Sequence, residues 1–165
     1  MYYKGLAFRA LDPRWSSAPT SGEGAKLYGG RFNPKGVEAL YLALTETTAL
    51  AEYNQSFTHR PQPKTLCAYD VNCKDILDLA DEDQRQSVGI TQSELACGWK
   101  MILKNKQTPP TWMMVTRLMK DGISGIIVPS YAPNAPEGGQ NIVLWRWGND
   151  LPHKVTVIDD HNTLP

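Results

Sequence analysis

Arg31 is the first residue whose type and position suit chemistry on a ligand. It lies in the glycine-rich segment 28–36, directly before an apolar run. Glycines let the backbone approach a ligand closely, and the planar guanidinium of arginine matches phosphate oxygens. The segment lacks the ordered glycines, lysine and hydroxyl residue of a P-loop. Taken alone, it is more typical of a surface turn with a solvated arginine.

Glu52 and Ser130 are two further polar candidates. Thr45 predicts a helix N-cap, and a helix is expected over 46–57, which places Glu52 on that helix. The apolar stripe predicted for this helix consists of Leu50, Tyr53 and Phe57. At about 100° per residue, Glu52 points roughly 140° away from that stripe, as a surface glutamate does. Ser130 follows a predicted strand and by itself is a turn serine.

Considered together, these residues fall in segments that resemble RES-domain proteins, the toxins of bacterial type II toxin–antitoxin pairs. The most specific match runs through 30–36 (GRFNPKG), 39–43 (ALYLA) and 46–52 (ETTALAE). Further matches are 8–10 (FRA), 125–130 (GIIVPS) and 141–145 (NIVLW). The family takes its name from an arginine, a glutamate and a serine, which would be Arg31, Glu52 and Ser130 here. The resemblance covers most of the chain.

The resemblance implies both a fold and an activity. The fold would be a single α+β domain over 1–165, related to ADP-ribosyltransferases of the diphtheria-toxin type. NAD+ would lie in the cleft of a split, mainly antiparallel β-sheet with flanking helices. The activity would be cleavage of the nicotinamide–ribose bond of NAD+, which arrests growth until a cognate antitoxin protein silences the toxin. Proteins, water and phosphate all serve as ADP-ribose acceptors in the family, and the sequence leaves the acceptor open.

The same resemblance implies roles for individual residues. Glu52 would accept a hydrogen bond from a ribose hydroxyl and stabilise the positive charge that develops on the sugar. Arg31, together with Arg9, would hold the phosphates or the ribose edge. Tyr41 would stack on nicotinamide. The catalytic residues would thus be Glu52, Arg31 and Tyr41. The NAD+-binding residues would be Arg9, Arg31, Tyr41, Ser130 and Tyr28.

The implied reaction suits these residue types. Loss of nicotinamide from C1′ of the ribose passes through an oxocarbenium-like transition state, as in glycoside hydrolysis. Nicotinamide is cationic in NAD+ and leaves as a neutral molecule, so no general acid has to protonate it. The sequence shows no metal-ligand cluster and no nucleophile–base pattern of the hydrolase type. We therefore expect a metal-independent enzyme with NAD+ as its substrate.

The elements that must position these residues follow from hydrophobic patterning. Strands are predicted over 3–10, 39–43, 65–71, 75–79, 123–128, 141–147 and 154–158. Helices are predicted over 46–57, 93–104 and 111–120, and 12–36 is expected to be a long loop. Such an order predicts an α+β domain with mainly antiparallel strands and with helices packed at one side.

Composition limits the class of protein further. The chain has 17 basic and 17 acidic residues, so its net charge offers no general attraction to nucleic acid. Its apolar runs are too short to span a bilayer, and residues 1–5 do not begin a secretory signal. The 3 cysteines are expected to be reduced thiols. These features predict a cytoplasmic protein that binds a small molecule and makes no direct contact with nucleic acid or membrane.

Two alternative functions belong to other classes. The first is a catalytically inactive module that keeps the fold and only binds a partner protein. The presence of Arg31, Tyr41 and Glu52 in one pattern argues against it. The second is a nucleic-acid-binding domain, which the balanced charge disfavours. For the enzyme, the expected partners are NAD+, the antitoxin and, if the acceptor is a protein, the target of ADP-ribosylation.

Overall fold

The computed structural model of this chain describes residues 1–57 and 59–165. Its strands are β1 (Tyr3–Leu11), β2 (Leu40–Ala43), β3 (Thr65–Cys73), β4 (Ile76–Asp78), β5 (Gly125–Pro129), β6 (Gln140–Leu144) and β7 (His153–Val157). Within the described ranges they form one 7-stranded sheet in the order β4-β5-β6-β2-β1-β3-β7. The β4–β5 pair is parallel, and the remaining pairs are antiparallel.

The sheet is split between β1 and β2. In the described part of the chain these two strands share a single pair of facing residues, Phe8 opposite Ala43. By contrast, β1 pairs with β3 along its whole length, from Tyr3 opposite Cys73 onward. One half of the sheet therefore contains β1, β3 and β7, and the other contains β2, β4, β5 and β6. The expected α+β fold with a split, mainly antiparallel sheet is confirmed.

The described chain also contains six helices. They are α1 (Glu23–Tyr28), α2 (Glu46–Asn54), α3 (Glu82–Ser87), α4 (Gln92–Leu95), α5 (Trp99–Lys104) and α6 (Pro110–Lys120). A short 3-10 turn covers Pro13–Trp15. No helix in the described ranges is both long and apolar enough to cross a membrane.

Apolar side chains cover both faces of the sheet. Successive side chains of a strand point to opposite faces, and β5 shows the pattern. Ile126 and Val128 belong to one buried cluster, whereas Ile127 between them belongs to the other. α6 covers the first of these clusters with Met114, Val115 and Leu118. Because both faces are buried, the strands that carry the polar residues of the split have fixed positions.

The structure corrects several local predictions. The segment 12–36, predicted as a loop, contains the 3-10 turn and α1. The helix predicted over 93–104 is two short helices, α4 and α5, separated by residues 96–98. α2 ends at Asn54 rather than at 57. Its predicted apolar stripe is wrong, because the buried side chains of α2 are the small residues Thr48, Ala49 and Ala51.

Candidate active site

A cavity of about 460 Å³ lies at the split between β1 and β2. Its lining includes four of the predicted site residues, Arg9, Arg31, Tyr41 and Glu52. Each comes from a different element, since Arg9 lies on β1, Tyr41 on β2, Glu52 on α2 and Arg31 in a loop. Its size falls in the range of about 300–1,000 Å³ that is usual for small-molecule sites. The fold thus brings together residues that are distant in the sequence.

The Glu52 carboxylate is held by three side chains. Its Oε1 atom accepts hydrogen bonds from Ser130 Oγ at 2.5 Å and from Asn141 Nδ2 at 2.7 Å. Its Oε2 atom accepts one from Gln55 Nε2 at 2.9 Å. We call Glu52, Gln55, Ser130 and Asn141 the carboxylate wall. These donors are neutral, and no cation in the described ranges forms an ion pair with Glu52. The carboxylate therefore has no protein cation to compensate it.

Local structure explains how Glu52 reaches this position. The Thr45 hydroxyl accepts a hydrogen bond from the Thr48 N–H and starts α2, as the sequence predicted. The small side chains of Thr48, Ala49 and Ala51 then let α2 lie close to the sheet. Glu52 follows them, and the helix sets it over the split rather than in solvent.

Arg31 also lines the cavity and is held by neutral groups. Its Nη1 atom donates to the carbonyl oxygens of Leu95 at 3.1 Å and Cys97 at 2.5 Å. Its guanidinium carbon lies 4.7 Å from the centre of the Tyr131 ring, in a cation–π contact. No carboxylate in the described ranges pairs with Arg31. Its positive charge is oriented but not compensated by a protein anion.

Asn33 and Tyr41 build the loop that carries Arg31, which we call the arginine loop (residues 30–37). The Asn33 side chain is fully buried, and its Nδ2 atom donates to the carbonyls of Ala25 at 2.8 Å and Val37 at 3.0 Å. Its Oδ1 atom accepts from the Tyr41 hydroxyl at 2.6 Å. That hydroxyl also accepts from the Phe32 N–H at 3.1 Å. Burial raises the pKa of the Tyr41 hydroxyl, which stays protonated and able to donate.

Two indoles complete the arginine loop. Trp112 Nε1 donates to the Gly30 carbonyl at 2.7 Å, and Trp145 Nε1 donates to the Phe32 carbonyl at 2.9 Å. Gly30 itself has no room for a side chain, because an added Cβ would lie 2.5 Å from the Tyr41 hydroxyl oxygen. Glycine is needed here for close packing of the loop against β2. The loop is therefore fixed on both sides of Arg31.

Arg9 supplies a second uncompensated cation. Its Nη1 atom has one long hydrogen bond, 3.4 Å to the Ser21 carbonyl. Burial lowers the pKa of the Arg9 guanidinium, and nearby Tyr69 and Cys67 partly offset that effect. Arg9 forms no ion pair with any carboxylate of the described residues. A half-buried guanidinium with so few partners favours an anionic ligand.

Two predicted binding residues occupy other positions. Ser130 does not line the cavity but contacts Glu52, so its place in the site is behind the carboxylate. Tyr28 is not brought to the cavity: its side chain is 76% exposed at the end of α1. Its position beside Gly29 and Gly30 in the sequence was the reason for the prediction. The backbone at Gly29 has a positive φ of 74°, and Gly30 rather than Tyr28 lines the cavity.

The described residues contain no group of three or more His, Cys, Asp or Glu side chains that could hold a metal ion. The cavity instead combines one carboxylate, two arginines and Lys100 at its edge. Cations around a single carboxylate suit a ligand that carries phosphates together with a group that becomes positive.

Comparison with known families agrees with this geometry. The family model of the RES domain matches residues 6–165, which is nearly the whole chain. This chain belongs to the RES domain family. The resemblance noted in the sequence is confirmed, and the match includes the segments that carry Arg31, Glu52 and Ser130.

The fold of this RES domain is also found in a solved structure. It is similar to a chain in the crystal structure of the M. tuberculosis MbcT–MbcA toxin–antitoxin complex, with a TM-score of 0.66. The likeness covers 96% of this chain and 84% of that chain, at 18% sequence identity. At that identity it shows the shared fold alone. No curated protein sequence matches the chain.

Proposed function

We propose that this RES domain is a toxin that breaks the nicotinamide–ribose bond of NAD+ and transfers ADP-ribose to an acceptor. The observation that carries the proposal is the Glu52 carboxylate, held by neutral donors in a cavity that also presents the cations Arg9 and Arg31. Membership of the RES family supports the same substrate. The domain would then extend over residues 1–165 as one catalytic unit.

Glu52 has the properties that the reaction requires of a catalytic carboxylate. As nicotinamide departs, positive charge develops on the ribose in an oxocarbenium-like transition state. A fixed negative charge next to the sugar stabilises that state more than the ground state. Glu52 can also accept a hydrogen bond from a ribose hydroxyl and hold the sugar in a reactive pose. Nicotinamide leaves neutral, so the chain does not have to supply a proton.

The cations would bind the rest of the dinucleotide. Arg31 is held in place by carbonyl groups, and its remaining N–H groups are suited to phosphate oxygens. Arg9 approaches from the other half of the sheet. The Tyr41 hydroxyl is engaged in the arginine loop, so the ring face would be its contribution to stacking on nicotinamide. The substrate would therefore bridge the split.

The proposal includes a protein partner and a cellular location. The similar solved structure is a toxin–antitoxin complex, which supports a cognate antitoxin as the partner that silences this chain. NAD+ is a cytoplasmic metabolite, so the enzyme would act in the cytoplasm. The acceptor of ADP-ribose would be a target protein, water or phosphate.

The test is incubation of purified, antitoxin-free protein with NAD+ and measurement of free nicotinamide. A parallel reaction with cell lysate and labelled NAD+ reports ADP-ribose attached to protein. Nicotinamide release without a labelled band would identify an NAD+-degrading enzyme that uses water or phosphate. A labelled band would identify a protein-modifying transferase and its target.

The Glu52→Gln variant is the matched control for this test, because it keeps the shape of the side chain and removes its charge. Folded wild-type protein that releases no nicotinamide would refute the enzyme and leave the partner-binding module. Expression of the wild-type chain alone should arrest growth, and expression of Glu52→Gln should not. Normal growth with soluble wild-type protein would count against the toxin.

A further inference from the structure

Asn141 is the member of the carboxylate wall that lies within the sheet. It belongs to β6, where it faces Ala43 of β2 on one side and Val128 of β5 on the other. A residue on a strand that is paired along both edges has little freedom to move its Cα atom. The backbone therefore holds the Asn141 side chain at a fixed place beside Glu52. Gln55, by comparison, is an exposed residue at the end of α2.

The two oxygens of Glu52 have unequal surroundings. Oε1 accepts from both Ser130 and Asn141, at 2.5 and 2.7 Å. Oε2 accepts from Gln55 alone among the described residues, at 2.9 Å. Asn141 lies on β6 and Ser130 directly follows β5, whereas Gln55 is an exposed residue that directly follows α2. Oε1 is thus the anchored oxygen, and Oε2 is the oxygen that a ligand can reach by displacing an exposed amide.

Asn141 makes an incomplete set of hydrogen bonds. This observation favours a functional role for the residue over a purely stabilising one. Its Oδ1 atom is buried and has no hydrogen-bond partner among the described residues. An asparagine kept for stability would have both amide atoms paired, because a buried unpaired carbonyl is unfavourable. Turning the amide over would place Oδ1 against the Glu52 carboxylate, which repels it. The hydrogen bond to Glu52 therefore sets the orientation of the Asn141 amide, with Nδ2 as the donor to the carboxylate.

We infer that Asn141 is a positioning residue that, together with Ser130, fixes the Glu52 carboxylate by its Oε1 atom and directs Oε2 to the substrate ribose. This inference rests on the proposed NAD+ cleavage. Rotation about the last bond of a glutamate side chain is soft, so a carboxylate without anchors samples many orientations. A carboxylate that keeps one anchor is still limited in that rotation, whereas a carboxylate that has lost both anchors rotates freely. The two anchors should therefore act together rather than independently.

The first experiment measures nicotinamide release by wild type, Asn141→Leu, Ser130→Ala and the double variant. Each single change should lower kcat about tenfold with KM almost unchanged, because misorientation of a catalytic group affects the reacting state. The double variant should lose more than the product of the two single losses. Gln140→Leu is the matched control: it removes an amide from the neighbouring residue of β6, on the opposite face, and should leave kcat unchanged.

The second experiment asks whether Asn141 acts through Glu52. Adding Asn141→Leu to Glu52→Gln should cause almost no further loss, because the group being positioned is already gone. A further tenfold loss in that background would overturn the inference, as would a raised KM with unchanged kcat. Asn141→Asp keeps the shape of the side chain, so it remains informative if Asn141→Leu does not fold. The carboxylate that Asn141→Asp introduces lies next to Glu52, and the repulsion between the two like charges should move the acid limb of the activity profile to higher pH. An acid limb at the wild-type position would contradict the positioning role.

A failure of the proposed function has a different signature from a failure of this inference. If wild type releases no nicotinamide, NAD+ cleavage is refuted. Crystal structures of wild type and of the Ser130→Ala/Asn141→Leu variant then test the anchoring directly. A displaced or disordered Glu52 carboxylate in the variant would support the inference, and an unchanged carboxylate would overturn it.

Discussion

The carboxylate wall and the arginine loop are held by different kinds of contact. In the carboxylate wall, side chains bond to side chains, and Glu52 receives its donors from the residue after α2, from the residue after β5 and from β6. In the arginine loop, side chains mostly bond to the backbone, as Trp112 does to Gly30. The first arrangement orients one charged group, and the second sets the path of the chain. A change in the wall should therefore alter catalysis, and a change in the loop should alter binding and stability.

The largest effect is expected from Glu52→Gln, which would reduce kcat by about 10²–10³-fold, the usual loss when a group that stabilises transition-state charge is removed. Binding of NAD+ should change far less, since the charge on the sugar develops only during the reaction. Steady-state nicotinamide release and calorimetric NAD+ binding measure the two effects. Equal losses in both would show that the carboxylate wall serves binding instead.

Arg31→Ala should come next, with kcat/KM lowered roughly tenfold to 100-fold, as for the loss of a hydrogen bond to a charged group. Unlike the change at Glu52, it should weaken NAD+ binding and turnover together. Arg31→Lys is the control that keeps the charge but loses the fork of donors. If Arg31→Ala lowers kcat and leaves NAD+ binding intact, the assignment of catalysis to the carboxylate wall and of binding to the arginine loop is wrong.

Tyr41→Phe should mainly affect stability. It leaves Asn33 Oδ1 and the Phe32 N–H without their partner, at a cost of about 1–3 kcal/mol in the free energy of unfolding. Because the ring remains, kcat should change little once the protein is folded, while KM rises as the arginine loop loosens. Chemical denaturation and steady-state kinetics measure these effects. A large fall in kcat with unchanged stability would assign the hydroxyl to catalysis.

The smallest effect is a dependence of stability on alkaline pH. Burial raises the pKa of the Tyr41 hydroxyl, whereas an unfolded tyrosine ionises near pH ~10. Below that pH both states keep the proton, and above it the unfolded state alone loses it. Stability should therefore fall by about 1 kcal/mol between pH ~10 and ~11 for each such tyrosine. Burial also raises the pKa of Tyr69, which is therefore a second position for the same test. Either Tyr41→Phe or Tyr69→Phe should make the loss of stability with rising pH less steep.

The sequence was a good guide to local features. Alternating apolar residues predicted β1, the apolar run 39–43 predicted β2, and the hydroxyl of Thr45 predicted the start of α2. The resemblance pointed to Arg31, Glu52 and Ser130. The orientation of α2 was not predictable from periodicity, because small buried residues rather than Leu50 and Phe57 set its contact face.

The sequence could not predict the residues that complete the site. Asn141 is 89 positions from Glu52, and Trp112 is 82 positions from Gly30. Such contacts depend on the tertiary fold. Asn141 opens the segment 141–145 that resembles the RES family, but no pattern in the sequence pairs it with Glu52, and no pattern pairs Trp112 with Gly30. Asn33 had a usable signal, because it lies within the segment that resembles the RES family. Its buried amide now explains what the residue does there.

The single pairing between β1 and β2 also bears on how the molecule is made. Along the described chain, strands alternate between the halves of the sheet: β1 and β3 belong to one half, β2 and β4 to β6 to the other, and β7 returns to the first. Neither half is a continuous piece of sequence. Before β6 has emerged from the ribosome, the growing chain lacks Asn141. Before β7 has emerged, the half of the sheet that contains β1 and Arg9 lacks its edge strand. The cavity can therefore form only after the chain from β1 through β6 has emerged.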